Sequence, residues 1–115
     1  NSEDGLDEIS PYEKTNVIQL KNGKISEITI DPKELNIGAN NFKDLLGDNA
    51  QYNASKMINI FEGEDGDFSK AVCLNAAAGL IVSEKHLIFN EAYKDTREHI
   101  LSGKTIKHLK NIQNG

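Results

Sequence analysis

Residues 68–82 constrain the fold most, because Ala71, Val72, Cys73, Leu74, Ala76, Ala77, Ala78, Leu80, Ile81 and Val82 leave a helix there almost no polar side. A helix that is apolar nearly all round has to be buried, so it needs cover from several neighbours. Upstream of it, two apolar runs, 16–21 and 24–30, flank Asn22-Gly23, a pair that tolerates the positive φ angles of a type I′ turn. They predict a β-hairpin. In its second strand Ser26, Ile28 and Ile30 share one face and Ile25, Glu27 and Thr29 the other. The first face is mostly apolar and is expected, with part of the 68–82 helix, to form an exposed patch unless other elements cover it.

The remaining segments predict short and amphipathic helices. Asp31-Pro32-Lys33-Glu34 has the form of a helix start, with Asp31 as cap, Pro32 at the first position and Glu34 closing a capping box; Gly38 would end it. A short turn at 42–46 stops at Gly47. Asp48 is then expected to cap a longer helix with Gln51 at the capping-box position, burying Ala50, Ala54, Met57, Ile58 and Phe61 and ending before Gly63. Residues 62–67 make an acidic loop in which Asp67 would cap the apolar helix. Helices at 87–101 and 105–113 follow, divided by Ser102-Gly103, with Lys104, Lys107 and Lys110 on the polar side of the last. Residues 1–14 are polar and acidic and predict a loop with a short extended piece at 6–9. There is no internal repeat or low-complexity tract.

A length of 115 residues allows one domain with a core, and 37% hydrophobic with 27% charged residues is a globular mixture. The formal charge of −5, with no dense Lys/Arg cluster, argues against a nucleic-acid partner. Cys73 is the only cysteine, which rules out an internal disulfide and fits a reducing compartment. No apolar stretch reaches the roughly 18 residues needed to cross a bilayer. Cytoplasmic placement is therefore expected. The chain starts at Asn1 and runs at once into motif-like sequence, which suggests a segment of something longer.

Chemistry is most legible at Asp7-Glu8, adjacent carboxylates just after Gly5. Carboxylates without nearby thiols or imidazoles suit a hard cation such as Mg2+, yet an acidic loop is usually only solvated. No glutamate stands where a calcium loop would need it. The histidines are poor metal candidates: His99 and His108 are too far apart in sequence to share a helix face, and His86 lies beside a helix end. Cys73 lacks a nearby base and is expected to be a buried structural thiol. Glu62, Glu64, Asp65 and Asp67 are expected to be solvated. Asn75, inside the apolar helix, must find hydrogen-bond partners, and a structural bond to a neighbouring loop is expected for it and for Asn53.

The run Glu3-Asp4-Gly5-Leu6-Asp7-Glu8-Ile9-Ser10-Pro11 resembles the signature of anthranilate phosphoribosyltransferases. Asn22-Gly23, Asp31-Pro32, Gly47, Asn53-Ala54, Gly63, Leu74-Asn75-Ala76-Ala77 and Ser102-Gly103-Lys104 follow in the family's order and approximate spacing. The resemblance covers essentially the whole chain. It implies an α/β fold: the C-terminal part of a catalytic domain of the nucleoside phosphorylase/phosphoribosyltransferase type, here a β-hairpin followed mostly by helices and spanning residues 1–115. It implies a transferase that joins anthranilate to the ribose of phosphoribosyl pyrophosphate in tryptophan biosynthesis, with Asp7 and Glu8 holding Mg2+ and Glu8 bridging two ions. It also implies a homodimer built through a helical N-terminal domain.

That domain, the glycine-rich diphosphate loop, the ribosyl-phosphate pocket and the arginine near anthranilate have no counterpart in these residues. Neither catalytic nor substrate-binding residues are therefore assigned here. Asn1 stands where many relatives have histidine, and Gly79 where alanine is usual. The alternatives are a catalytically silent relative serving as a binding or structural module, and a structural remnant. A silent relative is expected to lose the acidic pair and gain basic surface. By itself the segment is expected to be inactive and to associate with copies of itself.

Overall fold

A computed structural model describes residues 1–39 and 42–115. The hairpin forms as expected: β1 (Thr15–Lys21) and β2 (Lys24–Ile30) pair antiparallel, Lys21 opposite Lys24 and Thr15 opposite Ile30. Asn22 and Gly23 close it with φ of 51° and 75°, the positive angles a type I′ turn demands. The pairing puts Thr15, Val17, Gln19, Ser26, Ile28 and Ile30 on one face. That face turns toward the apolar helix, where Ile30 is buried and Val17 is packed against the core.

A 3-10 turn, Phe42–Leu45, precedes four helices: α1 (Ala50–Phe61), α2 (Asp67–Val82), α3 (Phe89–Leu101) and α4 (Lys104–Asn114). The principal helix contact is α2 against α3. Cys73, Leu74 and Ala77 of α2 meet Ala92, Tyr93 and Ile100 of α3 in one cluster with Ile9, Ile30, Ile37 and Ile60. Because Leu74 is fully buried there, Leu74→Ala is expected to cost about 3 kcal/mol in a denaturant unfolding experiment. A loss below about 1 kcal/mol would mean that the α2–α3 contact does not carry the core.

Several expectations are corrected. No helix follows Asp31; the chain makes tight turns through residues 32–36, with Asp31 Oδ1 accepting from the Lys33 amide at 2.9 Å and Asn36 at φ 57°. A left-handed residue so soon after the start ends any helix. The cap of α1 is Asn49, not Asp48: its Oδ1 accepts from the Tyr52 amide at 3.0 Å. The predicted α1 stripe also fails, since only Ile60 is buried and Phe61 half-buried while Ala50, Ala54, Met57 and Ile58 are exposed. The main contacts of α1 are with α3 and α4, and of its apolar residues only Ile60 and Phe61, at its C-terminal end, are covered.

The N-cap of α2 is Gly66; Asp67 is its first helical residue and is buried. Although α2 is apolar nearly all round, Ala76, Gly79 and Val82 are exposed. Helices α3 and α4 follow their predicted spans, divided at Ser102-Gly103, with Lys104, Lys107 and Lys110 exposed.

Candidate functional site

Asp7 and Glu8 lie in the loop before β1, which is tied down far more tightly than its polar composition suggests. Ser2 forms an antiparallel bridge with Thr15, and the expected extended piece at 6–9 is not a strand. Asp4 organises the next turn: its Oδ1 accepts from the Leu6 amide at 3.2 Å and its Oδ2 from the Ser10 hydroxyl at 2.5 Å. Burial pushes the Asp4 carboxyl up, but the hydroxyls of Ser10 and Ser2 and the Leu6 amide outweigh it and hold it below the usual value of 3.8. Ser10 is fully buried, and its Oγ in turn accepts from the amides of Tyr12 and Glu13 at 3.0 and 3.3 Å. Its own amide donates to Thr15 Oγ1 at 3.1 Å.

Helix α2 supplies another attachment. Asn75 Oδ1 accepts from the Ile9 amide at 2.9 Å, and Asn75 Nδ2 donates to the Ile9 carbonyl at 3.1 Å and to the Ala71 carbonyl at 2.9 Å. The expectation that this amide bonds a neighbouring loop is borne out. The same holds for Asn53, which bonds both the amide (3.0 Å) and the carbonyl (3.1 Å) of Asp48. A Cβ at Gly47 would sit 2.8 Å from Asn53 Oδ1, so glycine leaves room for that clasp.

Between these anchors Asp7 and Glu8 are exposed and have no hydrogen bond or ion pair among the described residues. A cleft of about 330 Å3 opens beside Glu8, lined by Leu6, Ile9, Leu45, Phe68 and Asn75 among others. No group of three or more His, Cys, Asp or Glu converges on a metal position among the described residues. Two unengaged carboxylates fit Mg2+ all the same, because Mg2+ is commonly held by one or two carboxylates with water and phosphate oxygens completing the shell. Asp4 does not join them, since its oxygens are committed to Leu6 and Ser10.

The other candidates have structural partners. His86 Nε2 lies 2.7 Å from Asp95 Oδ2, and His99 and His108 are exposed on α3 and α4. In the acidic loop Asp65 pairs with Arg97 at 2.5 Å, Glu64 with Lys56 at 3.7 Å and Asp67 with Lys70 at 2.9 Å. Cys73 is buried in the core, and burial pushes its thiol up against the smaller opposing effect of the Ser69 hydroxyl. The sequence alone does not single out the hub made by Asp4 and Ser10. Its signal was spacing: each bonds a backbone amide two residues on, the Asx- and Ser-turn pattern.

The chain belongs to the glycosyl transferase family, α/β domain, whose family model matches residues 1–106. The hairpin followed by helices is consistent with that α/β fold. An anthranilate phosphoribosyltransferase of Pelagibacter ubique is 74% identical over 114 residues, 99% of this chain and 34% of that protein. Proteins of the same name from Alkaliphilus metalliredigens and Methanococcoides burtonii are 38% and 35% identical over 109 residues each, 95% of this chain and 32% and 31% of theirs. The chain thus spans about a third of the length of these curated relatives. No described helix is long and apolar enough to cross a membrane.

Proposed function

We propose that this chain is the C-terminal segment of the catalytic domain of an anthranilate phosphoribosyltransferase, the enzyme that transfers phosphoribosyl from phosphoribosyl pyrophosphate to anthranilate in tryptophan biosynthesis. The observation that carries the reading is the 74% identity along almost the whole chain. The loop geometry supports it: the two carboxylates assigned to Mg2+ have no hydrogen bond or ion pair among the described residues and stand on a backbone held at both sides.

In that role Asp7 and Glu8 would hold Mg2+, which would supply charge to offset the leaving group. The bound ions would offset the negative charge that grows on the departing diphosphate as the anthranilate amine attacks C1 of the ribose. Asp4, Ser10 and Asn75 keep the loop in place around the pair. The glycine-rich diphosphate loop, the acceptor pocket and the helical dimer element belong to the rest of the full-length enzyme, which works in the cytoplasm as a homodimer.

The test is pyrophosphate release by the full-length protein given anthranilate, phosphoribosyl pyrophosphate and Mg2+, with loss of release on chelation. The 115-residue chain alone is expected to release none, because holding both reactants in line requires groups it does not carry. An inactive full-length protein would favour a catalytically silent relative, and turnover by the chain alone would mean that the active site has been misassigned.

A further inference from the structure

An amide set in an apolar helix and half-buried, as Asn75 is, costs stability where its polar atoms go unmatched, and asparagine is a poor helix former besides. Asn75 is matched in an unusual way. Apart from one bond back to Ala71, its side chain serves the amide and the carbonyl of a single residue, Ile9, 66 positions away. That reciprocal pair of bonds fixes orientation as well as distance. The Ile9 N–H belongs to the peptide unit joining Glu8 to Ile9, so Asn75 holds the plane to which the Glu8 backbone is attached. On the other side, the Leu6 carbonyl belongs to the peptide unit joining Leu6 to Asp7, and it accepts from the Ser2 amide at 3.1 Å. Asp7 and Glu8 are thus bracketed by two held peptide planes. Their side chains make no hydrogen bond or ion pair among the described residues, so the backbone is what sets their spacing and direction.

We infer that Asn75 is the positioning residue of the metal loop, anchoring the Glu8–Ile9 peptide to α2 so that the two carboxylates are presented to Mg2+ in register. The inference rests on the metal-binding role proposed above for Asp7 and Glu8. A ligand pair on a held backbone loses less freedom when the ion binds, and partners that orient metal ligands commonly change metal affinity by about 10–100-fold when removed.

In the full-length enzyme, Asn75→Ala is expected to raise the Mg2+ concentration for half-maximal turnover about 10-fold, with turnover largely restored at saturating Mg2+. Hydrogen–deuterium exchange at the Ile9 amide should quicken by about 10-fold or more, while the amides of α2 keep their protection. Asn75→Asp provides a second variant of nearly the same size. Its ionised carboxylate accepts from Ile9 but cannot donate to the Ile9 carbonyl, so it should shift the Mg2+ midpoint in the same direction. A merely structural asparagine would lower turnover at every Mg2+ concentration and loosen α2, with the midpoint unmoved; that result overturns the inference. Asp7→Asn with Glu8→Gln, titrated in parallel, separates the two ideas. If that pair moves the midpoint and the Asn75 variants do not, the positioning role falls and the metal reading stands; if neither moves it, both fall.

Discussion

In the full-length protein, Asp7→Asn combined with Glu8→Gln is expected to cut turnover about 100-fold at ordinary Mg2+, the scale seen when a preorganised electrostatic contact to developing charge is removed. The argument is electrostatic. In a ribosyl transfer the leaving diphosphate gathers negative charge while positive charge grows on the sugar, and an ion held at the diphosphate acts where that charge accumulates. Two amides in place of two carboxylates keep the side-chain shape and remove the formal charge that holds the cation. Raising Mg2+ should recover part of the lost rate, since substrate and water still supply ligands.

Folding gives no competing explanation for such a loss, because both side chains are exposed and have no protein partner among the described residues. Substitutions at such positions usually change stability by no more than about 0.5 kcal/mol. The thermal midpoint of the double variant should therefore match that of the parent. Kinetics unchanged across a magnesium titration would falsify the metal role of the pair.

The sequence was most legible where one residue type has one physical use. Asn22-Gly23 marked the hairpin because few pairs accept two positive φ angles, and Ser102-Gly103 marked the break between the last two helices. The amide of Asn75 was legible for a related reason: a polar group inside an apolar run must bond something, and the half-buried Asn75 bonds Ile9. Cap positions were harder, since Asp48 and Asn49 are both good caps and only the backbone decides between them; Asn49 holds the Tyr52 amide and Asp48 falls one residue outside the helix. Asp4 illustrates another limit. As one of several acidic residues it looked like part of a solvated loop, and only the meeting of residues 4 and 10 in space makes it the hub of the site. The α1 stripe failed because periodicity says which side could be buried, not whether a neighbour arrives to bury it.

That last point bears on the hairpin. The face expected to be bare, carrying Ile28 and Ile30, is instead the one turned to α2, with Ile30 8% exposed and Ile28 44%. The uncovered apolar surface is on the other face, where Ile18, Leu20 and Ile25 are 64%, 71% and 74% exposed and Leu20 stands directly opposite Ile25. Ile18 and Leu20 border the same groove as Val82 at the end of α2, which is also exposed. The hairpin is a two-stranded sheet among the described residues, and such a pair is marginal in water without further cover. Monomers rarely leave contiguous apolar patches beyond a few hundred Å2. The 115-residue chain by itself is therefore expected to associate with copies of itself through this face, sedimenting above the 12.7 kDa monomer and binding a hydrophobic dye when diluted. Ile18→Lys with Ile25→Glu should return it to a monomer and suppress the dye signal, because both side chains point into solvent and neither belongs to the buried cluster. The two charges flank Leu20 on that face and should leave the helical circular dichroism unchanged. In the full-length protein the remaining two thirds of the polypeptide are expected to cover the same face, so dye binding there should already be low. A parent chain that sediments as a clean monomer and binds no dye would show that these elements tolerate the patch in water, and the case for a missing cover on this face would be lost.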